Sequence, residues 1–263
     1  MQIFSIFGDP VAHSRSPLMH NSVFKAYNYP ACYTRTHLLD GAKLKETFFS
    51  LGLSGANVTV PHKEAAFVAC DEVRGFAQKV GVVNTLVNEN GKLIGYNTDA
   101  DGFMYAINEF PNIKKILVLG AGGTAKALVS RFLEEDMAVT VLNRSATRLA
   151  YFQNLDCQCF TWDDFVLAEY DLVVNTTSAG LNSSDLPAPK EIIHNILQNT
   201  HYVADAIYGK RTPFLALAHE KGLRYKDGAD MLLGQGVLAN ALFVQGKLTH
   251  EAIQNAMQKS FAL

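Results

Sequence analysis

The chain has 263 residues, a formal net charge of −2, 48% hydrophobic residues and 18% charged residues. A chain of this length forms one large domain or two modest ones, and it can bury a core without cross-links. The near-neutral charge provides no concentrated basic face, so we expect no nucleic-acid partner. We also expect no membrane partner, because no stretch reaches the roughly 18 apolar residues of a span.

The chain has four cysteines, at Cys32, Cys70, Cys157 and Cys159. Only the last two are close together, and no second pair completes a zinc pattern, so we predict no metal site. We interpret the cysteines as structural thiols, with a buried-face strand around the last two, which favours a reducing compartment. The N-terminus has no basic region and no long apolar run of a signal peptide, so we expect a cytoplasmic protein.

The first hundred residues alternate between apolar runs and segments with helical spacing. We predict strands at 2–7, 32–38, 55–60 and 82–88. We predict helices at 18–26, 42–51, 63–70 and 98–110, with a turn at 89–91. This alternation is typical of an α/β fold with largely parallel strands, and we place a domain boundary near the last of these helices.

The second half begins a new α/β pattern at Lys115. We predict strands at 116–119, 138–142, 172–175 and 202–207, and a helix at 124–135. The stretch 183–189 is the most loop-like, and 234–261 is helical in pattern without a strand signal.

A glycine-rich turn joins the apolar strand at 116–119 to the helix that follows it. Its residues are Gly120, Ala121, Gly122, Gly123, Thr124 and Ala125, which fit the pattern G-x-G-x-x-A. The strand–turn–helix setting is the one that a dinucleotide fingerprint requires, because the helix N-terminus receives the pyrophosphate. The alternative is a plain tight turn between a strand and a helix.

The end of the next strand indicates which dinucleotide is bound. An NAD site places Asp or Glu there, whereas this chain has Asn143 and Arg144, with Arg148 one turn later. Asn143 can bind a ribose, and two guanidinium groups can hold a 2′-phosphate that a carboxylate would repel. We therefore predict NADP; the alternative is that both arginines are solvated residues at a helix start.

Several polar residues follow strands, where α/β proteins place their ligand sites. Thr176 lies in a run of small hydroxyl residues that either lines the cofactor site or forms a turn. The N-terminal half supplies candidates for a substrate site: Ser14, Ser16, Asn57, Thr59, Lys63, Asn84 and Asp99. Taken singly, Ser16 or Asp99 could be a helix cap and Lys63 a surface lysine.

Together these motifs resemble the shikimate dehydrogenase family. The resemblance rests on Ser14-Arg15-Ser16-Pro17, Asn57-Val58-Thr59-Val60-Pro61-His62-Lys63, Gly81-Val82-Val83-Asn84-Thr85, Gly95-Tyr96-Asn97-Thr98-Asp99, the turn at 120–125, Asn143-Arg144-Ser145, Thr212-Pro213-Phe214-Leu215 and the segment 227–236. The motifs occur in family order from about residue 5 to residue 240.

The resemblance implies reversible NADPH-dependent reduction of 3-dehydroshikimate to shikimate, on the chorismate route to aromatic amino acids. It implies that Lys63 and Asp99 act at the reacting oxygen and that Ser14 and Ser16 hold the substrate carboxylate. It adds two groups of site residues: Tyr208 and Gln235 for substrate, and Ala206 and Gly228 for cofactor. It also implies a discontinuous α/β substrate domain (1–100 with 236–263) and a Rossmann-type NADP domain (101–235), in a monomer or homodimer.

Three positions depart from the family pattern. The loop between Tyr208 and Thr212 is one residue short, the usual N-A-T is Asn175-Thr176-Thr177, and Asn240 replaces an aromatic residue. Three rival functions stay open: an NAD-using quinate/shikimate relative, a non-enzymatic NADP sensor, and an unrelated NADP reductase. Asn143-Arg144 argues against the first, and retention of Lys63 and Asp99 argues against the second. The motifs at 14–17 and 57–63 argue against the third.

Overall fold

The computed structural model describes residues 1–261 and divides the chain into two compact units. Unit 1 comprises Met1–Gly102 together with the chain from Leu233 onward, and unit 2 comprises Phe103–Leu232. The last two residues of the predicted substrate domain, 262 and 263, lie outside the described residues. No helix within the described chain is long and apolar enough to cross a membrane.

Unit 1 is built on a six-stranded sheet in the order β2-β1-β3-β5-β6-β4. Its strands are β1 (Gln2–Gly8), β2 (Ala31–His37), β3 (Gly55–Val58), β4 (Glu72–Val73), β5 (Thr85–Glu89) and β6 (Lys92–Tyr96). Its helices are α1 (Ser16–Ala26), α2 (Leu44–Ser50), α3 (Lys63–Ala69), α4 (Phe76–Val80) and α10 (His250–Ser260), with a 3₁₀ turn at Gly41–Lys43. Two further helices, α5 (Asp99–Ile107) and α9 (Ala229–Phe243), contain the points where the chain passes between the units.

Unit 2 is a six-stranded sheet in the order β12-β11-β10-β7-β8-β9, and every pairing in it is parallel. Its strands are β7 (Lys115–Leu119), β8 (Ala138–Leu142), β9 (Gln158–Phe160), β10 (Tyr170–Asn175), β11 (Thr200–Asp205) and β12 (Arg224–Lys226). Its helices are α6 (Gly123–Glu134), α7 (Lys190–Gln198) and α8 (Pro213–Glu220). The central strands are apolar along nearly their whole length because a parallel sheet is covered on both faces.

The α/β prediction is confirmed, but the prediction of largely parallel pairing fails in part of unit 1. There β5 pairs antiparallel with both β3 and β6. The reason is local: Asn90 and Gly91 have φ values of 55° and 81°. Consecutive positive φ values suit a two-residue hairpin turn. The predicted turn was therefore the centre of a hairpin whose second strand the sequence analysis did not assign.

The predicted strand at 82–88 begins later than expected, because β5 starts at Thr85. The Val83 amide donates to the carbonyl of Lys63 and so leaves the sheet ladder. Asn84 consequently lies just before the strand rather than inside it. The predicted 42–51 helix also divides, into a 3₁₀ turn and α2.

Candidate active site

Lys63 and Asp99 form a nearly buried ion pair in unit 1. Lys63 is the first residue of α3 and Asp99 the first residue of α5. Their Nζ and Oδ2 atoms are 2.5 Å apart, and the side chains are only 11% and 8% exposed. A pair so little exposed is held in one geometry, which a solvated surface lysine would not be. The structure therefore excludes the surface-lysine alternative for Lys63.

Asn84 fixes the carboxylate of this pair from the other side. Its Nδ2 donates to Asp99 Oδ1 at 2.9 Å, and its Oδ1 accepts from the Thr98 amide at 2.9 Å. Asn97 Oδ1 accepts from the Asp99 amide at 3.1 Å. Asn84 and Asn97 thus set the start of α5, and Asp99 Oδ2 is left to Lys63.

Asn57 extends the same network to the next strand. Its Nδ2 donates to Thr85 Oγ1 at 3.1 Å, and Thr85 Oγ1 donates to Asn84 Oδ1 at 3.0 Å. The hydroxyl of Tyr33, on β2, donates to Asn57 Oδ1 at 2.7 Å. A buried hydrogen-bonded chain therefore runs from β2 to the ion pair, with each member's partner specified.

Ser14 and Ser16 are both buried, and they contact one another. Ser14 Oγ donates to Ser16 Oγ at 3.2 Å, next to the Pro17 that opens α1. Arg35 on β2 donates to the Ser14 carbonyl from Nε at 3.1 Å and from Nη2 at 2.6 Å. Arg35 thus anchors the serine loop and brings a positive charge beside two hydroxyls that suit an anionic ligand.

Two glycines leave room for predicted site residues to pack closely against neighbouring elements. A Cβ at Gly8 would lie 2.4 Å from Thr59 Cγ2, and one at Gly102 would lie 2.5 Å from the Gln235 amide nitrogen. No side chain fits at either distance. Gly8 therefore admits Thr59 against β1, and Gly102 lets α9 bring Gln235 against the first turns of α5.

The glycine turn of unit 2 has the geometry of a nucleotide-binding turn. Gly120 has a φ of 106°, and its Cβ would lie 2.9 Å from Thr176 Oγ1 and 2.8 Å from Thr177 Cγ2. Gly122 is the N-cap of α6, and a Cβ there would meet nothing within 4 Å. The turn therefore presents open space at the free N–H groups of a helix N-terminus, where anions bind.

Asp205 organises the loops that follow β10 and β11. Its carboxylate accepts from Asn175 Nδ2 at 3.1 Å, the Ile207 amide at 3.0 Å and Thr212 Oγ1 at 2.7 Å. Burial raises the pKa of this carboxyl, and the three donors oppose the rise. Asn175 in turn accepts from the Thr177 amide and hydroxyl, so this part of the serine/threonine run is a turn tied to Asp205.

Three further predicted residues lie in the same unit. Thr176 Oγ1 donates to the Leu119 carbonyl at 2.8 Å, which places it beside the glycine turn. Gly228 packs on Ala206, since a Cβ at 228 would lie 2.3 Å from the Ala206 carbonyl oxygen. Tyr208 belongs to unit 2, whereas the other substrate candidates belong to unit 1.

The end of β8 holds the residues predicted to select NADP. The backbone N–H of Asn143 donates to the Phe160 carbonyl at 3.0 Å, and the side-chain Nδ2 of Asn143 donates to the Ser145 carbonyl at 2.9 Å. Arg144 and Arg148 are exposed, and among the residues that the structure describes neither has an acidic partner. Both guanidinium groups are therefore available to an anion from solvent.

Known proteins were compared with the chain. A family model described as the shikimate dehydrogenase substrate binding domain matches residues 6–86. A shikimate dehydrogenase (NADP(+)) of Helicobacter hepaticus is 44% identical over 93% of this chain and 91% of its own length. The corresponding Helicobacter pylori protein is 41% identical over 99% of both chains.

The chain belongs to the shikimate dehydrogenase family. Solved structures agree with this assignment. The Aquifex aeolicus shikimate dehydrogenase superposes with a TM-score of 0.86 at 33% identity, over 98% of both chains. The Thermus thermophilus shikimate 5-dehydrogenase, solved in complex with NADP(H) and shikimate, gives 0.83 at 31% identity, over 99% of this chain and 100% of that one.

The sequence analysis missed three residues that hold the candidate residues in place. Arg35 and Tyr33 lie inside a strand, and Asp205 ends one. Their roles depend on contacts with residues 21, 24 and up to 30 positions away. No local pattern signals such contacts, although an aspartate directly after the apolar pair Val203-Ala204 is a signal that could have identified Asp205.

Proposed function

We propose that this chain catalyses the reversible NADPH-dependent reduction of 3-dehydroshikimate to shikimate, an oxidoreductase reaction at a CH–OH group in aromatic amino acid biosynthesis. The observation that carries the proposal is the buried Lys63–Asp99 pair, held by Asn84. A pair of this kind suits an oxygen that changes between ketone and alcohol. Membership of the shikimate dehydrogenase family supports the choice of substrate.

We propose that unit 2 holds the cofactor. The open space at Gly122 and the positive φ of Gly120 fit a pyrophosphate that approaches the backbone, with Ala121, Gly123 and Thr124 completing the turn. Thr176, Ala206 and Gly228 are the further contacts that we assign to it. Asn143 would bind the ribose, and Arg144 and Arg148 would bind its 2′-phosphate, which makes NADP the cofactor rather than NAD.

Unit 1 is the substrate domain in this proposal. Ser14 and Ser16 would donate to the substrate carboxylate, next to the guanidinium of Arg35. Asn57, Thr59, Asn84 and Gln235 would contact the ring substituents, and Tyr208 is the further residue that we assign to substrate binding. Hydroxyl and amide groups suit a polyol because each can donate and accept.

NADPH, when bound, supplies the hydride that reduces the ketone carbon. The reacting oxygen becomes negative in that direction, and the Lys63 ammonium stabilises the charge and donates the proton. Asp99 orients Lys63 at 2.5 Å and accepts a hydrogen bond from the substrate. In the reverse direction neutral Lys63 accepts the proton of the alcohol, so the same pair serves both directions.

The test is absorbance at the NADPH band, with shikimate or quinate as substrate and NADP⁺ or NAD⁺ as cofactor. We expect reduction of NADP⁺ with shikimate, and a kcat/KM for NAD⁺ at least about tenfold lower, the value of one lost charge-assisted contact. Absence of NADP⁺ reduction with shikimate would refute the proposed reaction. Equal use of NAD⁺ would refute the role of the arginines and leave the reaction intact.

A further inference from the structure

Helices α1 and α10 lie against each other in unit 1, and three side chains in or beside α1 donate to backbone carbonyls of α10. The contacts join Tyr27 to Ala252, Ser22 to Ala256 and Arg15 to Ser260, at 3.2, 3.0 and 2.8 Å. The residue numbers rise on one helix as they fall on the other, so the contacts form an antiparallel ladder. Only the Arg15 end of this ladder adjoins candidate substrate residues, because Arg15 stands between Ser14 and Ser16.

Arg15 is an unusual residue for the start of a helix. It is the N-cap of α1, and its side chain makes no capping hydrogen bond. N-caps favour Ser, Thr, Asp or Asn, and the positive end of the helix dipole disfavours a cation nearby. The N–H of Ser16 donates instead to Ser14 Oγ, at 3.3 Å. The stability of α1 therefore does not account for an arginine at this position, whereas the contacts of Arg15 with α10 do.

The C-terminal end of α10 suits a guanidinium group. The last carbonyls of a helix have no partner within it, and they form the negative end of the helix dipole. Arg15 Nη2 donates to one of these carbonyls, that of the buried Ser260. Arg15 Cζ also lies 5.5 Å from the centre of the Phe261 ring. A charge-assisted hydrogen bond and a cation–π contact thus hold the same side chain at the end of α10.

The serine loop, residues 14–16, is held from two directions. Arg35 fixes the Ser14 carbonyl to β2, and Arg15 fixes the next residue to α10. Between these two arginine contacts the hydroxyls of Ser14 and Ser16 are buried and 3.2 Å apart. Hydrogen bonds weaken steeply away from their best distance and angle, so a carboxylate that accepts from both hydroxyls requires the loop to stay in this position.

α10 is itself held in place by α9. A Cβ at Gly236 would lie 2.8 Å from Met19 Cε on α1 and 3.4 Å from Met257 Sδ on α10. The missing side chain therefore lets the three helices pack closely, directly after the substrate candidate Gln235 on α9. Met257 is completely buried in this contact, which gives α10 a fixed position from which to hold Arg15.

We infer that Arg15 is a positioning residue, which uses the end of α10 to hold Ser14 and Ser16 for the substrate carboxylate. The inference rests on the proposed function, because it takes the two serines as the carboxylate site. None of the candidate site residues lies on α10, so the effect of this helix on substrate binding passes through Arg15.

The first experiment compares Arg15→Met with Tyr27→Phe by steady-state kinetics of the full chain. Arg15→Met keeps an aliphatic side chain and removes the charge and its donors. We expect KM for shikimate to rise about tenfold, the value of one charge-assisted hydrogen bond, with kcat and KM for NADP⁺ within about twofold of wild type. Tyr27→Phe is the matched control, because it removes one hydrogen bond at the other end of the same ladder and should leave all three constants unchanged.

Two results of this comparison would overturn the inference. One is an unchanged KM for shikimate in a folded Arg15→Met. The other is an equal rise of that KM in Tyr27→Phe, which would assign the effect to the general packing of α10 on α1.

A coupled variant tests whether Arg15 acts through the serines. In Ser14→Ala/Ser16→Ala, the further change Arg15→Met should alter KM for shikimate by less than about threefold, because the hydroxyls that Arg15 positions are absent. A full tenfold rise on that background would show that Arg15 acts on the substrate by another route and would overturn the inference.

Phe261→Ala keeps the test decisive if Arg15→Met does not fold. It leaves Arg15 in place and removes the ring that lies beside the guanidinium group. We expect KM for shikimate to rise about threefold, the value of one cation–π contact, with KM for NADP⁺ unchanged. A wild-type KM for shikimate in Phe261→Ala would then overturn the inference.

Amide hydrogen exchange tests the hold on the loop without any substrate. The Ser14 N–H donates to the Val11 carbonyl at 3.0 Å, and the Ser16 N–H donates to Ser14 Oγ. We expect both amides to exchange about tenfold faster in Arg15→Met and at the wild-type rate in Tyr27→Phe. Unchanged exchange in a folded Arg15→Met would overturn the inference. If the wild-type protein does not act on shikimate, the proposed function fails, and exchange still decides whether Arg15 holds the loop.

Discussion

Replacement of Lys63 by methionine tests the candidate site most directly, because it keeps the length of the side chain and removes its charge. The charges of Lys63 and Asp99 are 2.5 Å apart, which gives a Coulomb attraction of about 6–7 kcal/mol at an effective dielectric constant of about 20. Desolvation of the two ions offsets several kcal/mol of this. Loss of one partner from a buried pair costs about 3–5 kcal/mol in general. Asp99 retains the hydrogen bond from Asn84, so we expect the lower end, about 3 kcal/mol.

The effect on catalysis should be separate from the effect on stability. Lys63→Met removes the proton donor and the charge at the reacting oxygen, so kcat should fall by about 10²–10⁴-fold, with KM for shikimate within about threefold of wild type. The free energy of unfolding is measured by urea denaturation, and kcat and KM by NADPH absorbance. A KM-only effect would refute the catalytic assignment.

Two controls make the result specific. Lys45 and Asp71 form an ion pair of the same length, 2.5 Å, but with 41% and 36% exposed side chains. Lys45→Met should therefore lower the free energy of unfolding far less than Lys63→Met does, and leave kcat unchanged. The double variant Lys63→Met/Asp99→Asn should be less destabilised than the sum of the single variants, because it leaves no unpaired buried charge. Additive losses would show that the two charges do not interact.

Three further outcomes follow from the same structure. Arg144→Ala should raise KM for NADP⁺ by about tenfold or more while leaving KM for NAD⁺ and the melting temperature unchanged, since Arg144 is exposed; an unchanged NADP⁺ preference would contradict the phosphate contact. Gly120→Ala places a side chain at a φ of 106° and brings its Cβ against Thr177, so the free energy of unfolding should fall by more than in the control Gly222→Ala. Gly222 has a φ of 72° and open space around it, so its replacement should cost roughly 1 kcal/mol. Equal losses of unfolding free energy in the two variants would contradict the clash. The wild-type free energy of unfolding should decline as pH falls from about 6.5 towards about 3, because burial lowers the pKa of His20 to about 3, so that only the unfolded state binds a proton in that interval. His20→Gln should flatten the dependence of the unfolding free energy on pH over this interval. An identical slope in the variant would show that other groups cause the decline.

Local rules were sufficient for part of the fold, although they did not predict helices α4, α7 and α8. The glycine turn at 120–123, the strands on either side of it and the helix that follows depend on apolar runs and on backbone freedom within a few residues. The order of the strands, and the short strands β4, β6 and β12, could not be predicted in the same way. Strands of two to five residues carry little periodicity, and they form because a neighbouring strand supplies their partners.

The candidate site also has features that the sequence determines and features that depend on tertiary packing. The sequence by itself determined which residue types were available: a lysine after one strand, an aspartate opening a helix, and arginines in place of an acidic residue at the end of β8. Only the tertiary structure decided that Lys63 meets Asp99 across 36 residues and that His20 meets Asn240 across 220. Such contacts arise when distant segments pack on one sheet. Burial then requires each polar side chain to have a hydrogen-bond partner, so the side chains form a network with fixed partners. Local sequence patterns report the chemistry of a residue, whereas its partner depends on the packing of the whole unit.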